Sequence, residues 1–191
     1  GRTVTLHNFI EKDIEQSDSE HSKEKKYCLY FGRFSEEKGI KTLIEVCRKL
    51  PDISFIFAGT GPMENELSDV QNIKNVGFKT GSELENLIKD ASFSVYPSEW
   101  YENCPFSVME SQMYGTPVIG ADIGGIPELI ENNATGILFK SDSVTELTNA
   151  ISELWNDEDK RKKMSQNCTQ VKFDTVEQYY KKLMKIYNGE I

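Results

Sequence analysis

From residue 27 to about residue 140 the chain alternates between apolar runs of strand length and stretches whose apolar residues recur at helical spacing. The runs 27–32, 53–58, 73–78, 93–97, 117–121 and 136–139 are six candidate strands. Between the first two, Ile40, Leu43, Ile44, Cys47 and Leu50 fall at i, i+3, i+4, i+7 and i+10, which places one apolar face on a helix. A Gly59-Thr60-Gly61-Pro62 turn leads into a short helix ending near Val70, and Ser82 with Glu85 reads as the capping box of a helix carrying Leu84, Leu87 and Ile88. Another helix is expected to start at Pro105, capped by Asn103 or Cys104, because a first-turn residue needs no N–H. A short one follows over 126–131. Strands and helices joined by such short loops pack as a parallel sheet covered on both faces, so the expected class is α/β, a doubly wound, six-stranded, Rossmann-like sheet.

The flanks read differently. Val4, Leu6, Phe9 and Ile10 form a short strand-like run, and residues 11–26 are almost wholly Glu, Lys, Asp, Ser and Gln, the composition of a solvated linker. Beyond residue 140 the pattern is helical, with starts at Ser143 and Glu146, around Asp157-Glu-Asp159, and at Asp174 with Glu177. The last helix carries Val176, Tyr179, Tyr180, Leu183, Met184, Ile186 and Tyr187, a wider apolar face than one sheet contact needs. Part of it is therefore expected to cover a surface outside this chain.

A net charge of −9 over 191 residues argues against a role in gripping nucleic-acid backbones. No apolar run approaches the ~18 residues of a membrane helix, and nothing resembles a signal peptide. Cys28, Cys47, Cys104 and Cys168 are widely spaced with no Cys-x-x-Cys pair, which suits a reducing, cytosolic setting. His7 and His21 read as solvated, and no zinc site has the required ligand spacing. Asp157-Glu-Asp159 matches a metal-binding Asp-x-Asp but lies in a polar break between helices, where capping is the better reading.

Ligands of open parallel sheets sit beyond the carboxyl ends of the strands, so the residues after those ends are the candidates for chemistry. Arg33 and Lys38 follow the first strand, and two cations there can clamp a diphosphate. Taken alone, the pair is better read as surface charge matched by Glu36 and Glu37. After the fourth strand, Glu102 precedes the helix at Pro105 and Glu110 lies within it, about 7.5 Å further along the axis than Pro105. Carboxylates flanking an anion-binding helix end can hold hydroxyl groups at both ends of a nucleotide sugar. Cys104 beside that helix end is a candidate reactive thiol, a small packing residue being the commoner alternative.

Together, Arg33 with Lys38, the Gly59–Pro62 turn, the Glu102-x7-Glu110 spacing and the run Tyr-Gly-Thr-Pro-Val-Ile-Gly-Ala-Asp-Ile-Gly-Gly-Ile-Pro-Glu128 resemble retaining glycosyltransferases of family 4. The resemblance runs from about Tyr27 to Asn156 and covers the C-terminal, donor-binding half of a GT-B architecture. It implies residues 1–26 as interdomain segment, 27–173 as the donor domain, and 174–191 as a helix docking on an N-terminal domain absent from this chain. It further implies Arg33 and Lys38 on the donor diphosphate, Glu102 on the donor sugar and Glu110 on the ribose hydroxyls. The amides of Phe106 and Ser107 would meet phosphate, those of Asn103 and Cys104 sugar hydroxyls, and Gly77 with Phe78 the base, with Gly61 also at the donor site. Family members commonly have glycine at the positions of Asn103 and Pro105 and an aromatic or apolar residue at Cys104, which points to an altered sugar pocket here.

The implied donor is a UDP- or GDP-sugar, with no metal and no prosthetic group. The acceptor, a saccharide or lipid-linked glycan, would be met through the missing domain, as would any peripheral membrane contact. The implied location is the cytoplasm, including the inner face of the membrane for the full-length enzyme. Such transfer needs no enzyme nucleophile, because the acceptor attacks the face from which the nucleotide leaves. A nicotinamide-binding reading of Gly59-Thr60-Gly61 fails at Glu64, where the third glycine is due, and at the third strand end, which lacks an acid for the ribose. A sugar-nucleotide epimerase of related fold and a non-catalytic binding module are the remaining alternatives.

Overall fold

The computed structural model describes residues 3–10 and 26–190; most of the acidic linker, including His21, lies outside the described residues. Six parallel strands form one sheet in the order β3-β2-β1-β4-β5-β6. They are β1 (Cys28–Phe31), β2 (Phe55–Ala58), β3 (Ile73–Gly77), β4 (Phe93–Tyr96), β5 (Val118–Ala121) and β6 (Gly136–Phe139). Cys28 is in register with Phe55 of β2 on one side and Phe93 of β4 on the other. The chain therefore reverses its direction of winding between β1 and β4, and that is where a doubly wound sheet opens a crevice. The expected fold class is the observed one.

Burial on both faces explains why the strands read as continuous apolar runs. Along β1, Cys28 and Tyr30 pack into one core cluster, whereas Leu29 and Phe31 point into the other with Ile88 and Ala91. Helix α1 (Ile40–Lys49) buries Ile40, Leu43, Ile44 and Cys47, the face its spacing requires. The remaining helices are α2 (Gly81–Asp90), α3 (Phe106–Met113), α4 (Ile126–Leu129), α5 (Val144–Asn156), α6 (Glu158–Cys168) and α7 (Val176–Tyr187). Helix α5 has no basic residue in its last turn. Lys26 and Arg161 supply the charge instead, both donating to the Trp155 carbonyl, where a cation suits the negative helix end.

Helix starts were the least faithful part of the sequence pattern. Ser143 caps α5 by accepting from the Glu146 amide, and Asp157 caps α6 from within the Asp-x-Asp run, both as expected. The Ser82 capping box does not form: Thr80 is the N-cap, which leaves Ser82 inside the first turn. Helix α3 has neither Asn103 nor Cys104 as its cap, because Pro105 itself occupies that position with extended backbone. Helix α7 is capped by Thr175 with Gln178, one residue later than the Asp174 reading. Asp174 is drawn off by Lys182, 2.6 Å away, while its carbonyl accepts from the Ile10 amide. The turn after Pro62 leads only to a 3-10 stretch, Glu64–Leu67.

Candidate functional site

A cavity of about 450 Å³ opens at the carboxyl ends of β1, β2 and β3, lined by Gly32, Arg33, Gly61, Phe78, Ser107 and Glu110 among others. That volume lies within the range of small-ligand sites, roughly 300–1,000 Å³. Five of the sequence-derived candidates, Arg33, Gly61, Phe78, Ser107 and Glu110, thus meet in one place. The rest of the Gly59–Pro62 turn lines it too, and Lys79 and Leu84 join without having been proposed as ligand contacts, since nothing in their residue types points to one. Arg33 is held at its backbone: the hydroxyl of buried Tyr30 donates to the Arg33 carbonyl at 2.7 Å. Below it, Tyr30, Phe34 and Phe57 stack with ring centroids 5.3 to 6.1 Å apart, giving the turn a rigid floor. Phe78 is 71% exposed, an apolar ring at the cavity mouth available to a flat partner.

Lys38 and Glu102 lie outside the cavity lining and form a pair of their own. The Lys38 ammonium is 2.5 Å from Glu102 Oε1, on side chains only 27% and 18% exposed. The expected alternative partners, Glu36 and Glu37, are not the ones Lys38 takes; Glu37 accepts from the Ser35 hydroxyl. Burial alone would lower the Lys38 pKa, but the hydrogen bond to Glu102 and the nearby Tyr96 hydroxyl outweigh it, and the net direction is upward. Lys38 is therefore cationic throughout the neutral range. Gly39 makes this pairing possible. Its φ is +70°, and a Cβ there would sit 1.9 Å from the Pro97 carbonyl, so only glycine lets the Lys38 turn nest on the end of β4.

Helix α3 points its N-terminus at the same crevice. With Pro105 as N-cap and no side-chain cap, the first-turn amides of Phe106 and Ser107 have no intrahelical partner to claim them. Ser107 reaches the cavity, whereas Phe106 turns its ring outward, 51% exposed. Glu110, one turn on from Ser107, lines the cavity as well.

Asn103 and Cys104 also stay outside the lining, as does Gly77 behind the β3 end. Cys104 is engaged by the N-terminal segment: the Asn8 amide donates to its sulfur at 3.3 Å and the Asn8 side chain to its carbonyl at 2.8 Å. Burial pushes its thiol above the ordinary range, with Glu128 adding to the effect against the opposing Asn8 amide. Of the two readings, packing fits Cys104 better than a reactive thiol, since the Asn8 segment covers its sulfur and carbonyl. His7 is not merely solvated either; its ring nitrogen is 2.8 Å from Glu128. The Gly124-Gly125 turn packs on the Glu102 loop, with the Gly125 amide donating to the Glu102 carbonyl at 2.6 Å and a Gly125 Cβ excluded by the Asn103 oxygen at 1.7 Å. These glycines stood inside the quoted run without a role, because their partners are over twenty residues away. Among the described residues no cluster of three His, Cys, Asp or Glu side chains could hold a metal, and no helix is long and apolar enough to cross a membrane.

Known proteins share the family and the fold. An uncharacterized glycosyltransferase of Methanocaldococcus jannaschii is 25% identical over 172 residues, 87% of this chain and 47% of its own length. The alpha-D-kanosaminyltransferase of Streptomyces kanamyceticus is 28% identical over 151 residues, 73% of this chain and 39% of its own. The chain thus spans less than half the length of these relatives. The crystal structure of HepE from Anabaena in complex with UDP-glucose shares the fold, with a TM-score of 0.75 at 21% identity over 85% of this chain and 48% of that one. The family model described as glycosyl transferases group 1 matches residues 11–171. The chain belongs to the glycosyl transferases group 1 family.

Proposed function

We propose that this chain is the donor half of a retaining glycosyltransferase of family 4, binding a nucleoside diphosphate sugar, with a UDP-sugar the first candidate. The observation that carries the reading is the meeting of Arg33, Ser107 and Glu110 in one cavity beside the Lys38–Glu102 pair. Kinship with group 1 transferases supports it, as does the Anabaena neighbour whose crystals hold UDP-glucose.

On this reading the diphosphate lies between Arg33, Lys38 and the amides of Phe106 and Ser107. Glu110 accepts hydrogen bonds from the ribose, Phe78 and Gly77 border the base, and Glu102 meets the sugar. As the sugar–oxygen bond breaks, its electron pair passes to the diphosphate, where two cations and a helix end stabilise the growing charge. The acceptor hydroxyl attacks from the same face and its proton passes to the departing phosphate oxygen, so configuration is retained without an enzyme nucleophile. A saccharide or lipid-linked acceptor would be presented by an N-terminal half, on which α7 docks. Asn103 and Cys104 would act on the sugar pocket through their backbone.

The roles separate experimentally. Glu110→Ala is expected to weaken binding of the free nucleoside diphosphate by about 10- to 100-fold, the worth of hydrogen bonds to a charged group. Glu102→Ala is expected to spare it. Equal nucleotide affinity in wild type and Glu110→Ala would refute the ribose assignment.

A further inference from the structure

We propose that Ser98 is a positioning residue for Glu102: it pins one carboxylate oxygen so that the other is presented to the donor sugar. The inference rests on the assignment of Glu102 to the sugar made above.

Ser98 Oγ lies 3.0 Å from Glu102 Oε1, the same oxygen that Lys38 reaches at 2.5 Å. A serine hydroxyl has one proton to give. Its other acceptors, the carbonyls of Glu37 at 3.3 Å and Trp100 at 3.4 Å, are neutral and farther, so the carboxylate takes it. Ser98 is 1% exposed and sits just beyond the end of β4, where its own carbonyl accepts from the Ser141 hydroxyl at 3.2 Å. It is thus a fixed donor on a rigid strand end. Lys38, by contrast, is a long cation on a neighbouring loop. Ser98 and Lys38 both donate to Oε1, which fixes the orientation of the carboxylate. When a diphosphate draws Lys38 away, Ser98 stays, together with the Tyr96 hydroxyl that also bonds Glu102, and keeps the carboxylate from turning.

The test is calorimetric titration of the 191-residue chain with UDP, UDP-glucose, GDP and GDP-mannose, for wild type, Ser98→Ala, Ser98→Cys and Glu102→Gln. Cysteine fills the serine's space with a weak donor, which separates packing from hydrogen bonding. Both Ser98 variants are expected to keep nucleoside diphosphate affinity within about twofold while the affinity of the sugar conjugate relative to it falls about tenfold. An unchanged ratio in both, with a collapsed ratio in Glu102→Gln, would overturn the Ser98 role alone. An unchanged ratio in Glu102→Gln would overturn the Glu102 assignment, and equal weakening of nucleotide and conjugate in Ser98→Ala would make Ser98 a structural residue instead. Failure of all four ligands to bind wild type would overturn the donor-site reading and this proposal with it.

Discussion

The Lys38 ammonium and Glu102 Oε1 stand 2.5 Å apart although 64 residues separate them, and they meet where the sheet reverses its winding, between the loop after β1 and the loop after β4. The position is the one at which a doubly wound sheet receives its ligand. The pairing also has a thermodynamic sign. A cation whose folded pKa is raised stabilises the fold fully below its unfolded value of 10.5, and the contribution is lost as pH climbs through the folded value. The stability difference between wild type and Lys38→Met, measured by urea denaturation, should therefore be flat from about pH 6 to pH 9 and shrink only in stronger alkali. A difference that already shrinks near neutrality would contradict the pairing.

Gly39→Ala should destabilise the chain by roughly 1–3 kcal/mol, the usual cost of forcing a side chain into such backbone. The substitution meets both a φ of +70° and the Pro97 carbonyl. Because the shift would move Lys38, nucleotide affinity should fall in the same variant. A Gly39→Ala protein with wild-type denaturation midpoint and affinity would show that the turn is not what seats Lys38.

The positions of the six strands along the chain and the class of fold were legible because they follow from composition and period, which are local. Residues 136–139 illustrate this: a four-residue apolar run between polar turns became β6 without adjustment. Caps were less legible, since Asp174 with Glu177 and Thr175 with Gln178 are overlapping signals and only a tertiary contact, Lys182 on Asp174, decides between them. At the site, the grouping of Arg33, Ser107 and Glu110 was legible through the family resemblance, whereas residue type alone read Arg33 as surface charge. The partnerships were not: Lys38 with Glu102, Asn8 with Cys104 and His7 with Glu128 join residues 64 to 121 apart, and no spacing rule reaches that far.

Cys28, Cys47 and Cys168 are buried and Cys104 is partly buried, and burial pushes each thiol upward, to about 12 for Cys168. A higher pKa means less thiolate at a given pH, and the thiolate is the nucleophile. Iodoacetamide at about pH 8, where a free thiol is partly ionised, should label the native chain far more slowly than glutathione, and all four sites should react on unfolding. Asn8→Ala should speed Cys104 labelling selectively by loosening the N-terminal segment. Cys104 labelling at the rate of a free thiol in wild type would sink the shielded assignment.

Helix α7 buries none of its residues fully, and Tyr180, Met184 and Tyr187 stay exposed, while Tyr179 meets Phe9 at 5.0 Å between ring centroids. If α7 docks on an N-terminal half, Tyr180 and Tyr187 should be protected from nitration in the full-length protein relative to this chain. Equal modification of both tyrosines in the two proteins would contradict that docking.

On the donor-site reading, Arg33 and Lys38 after β1 hold the donor diphosphate. Calorimetric titration of the purified chain with UDP, GDP, ADP, their sugar conjugates and NAD, repeated on Arg33→Ala/Lys38→Ala, tests it most directly. Saturable binding of one nucleoside diphosphate that disappears in the double variant is the result expected. Binding of NAD alone, or nucleotide binding that survives loss of both cations, would contradict it.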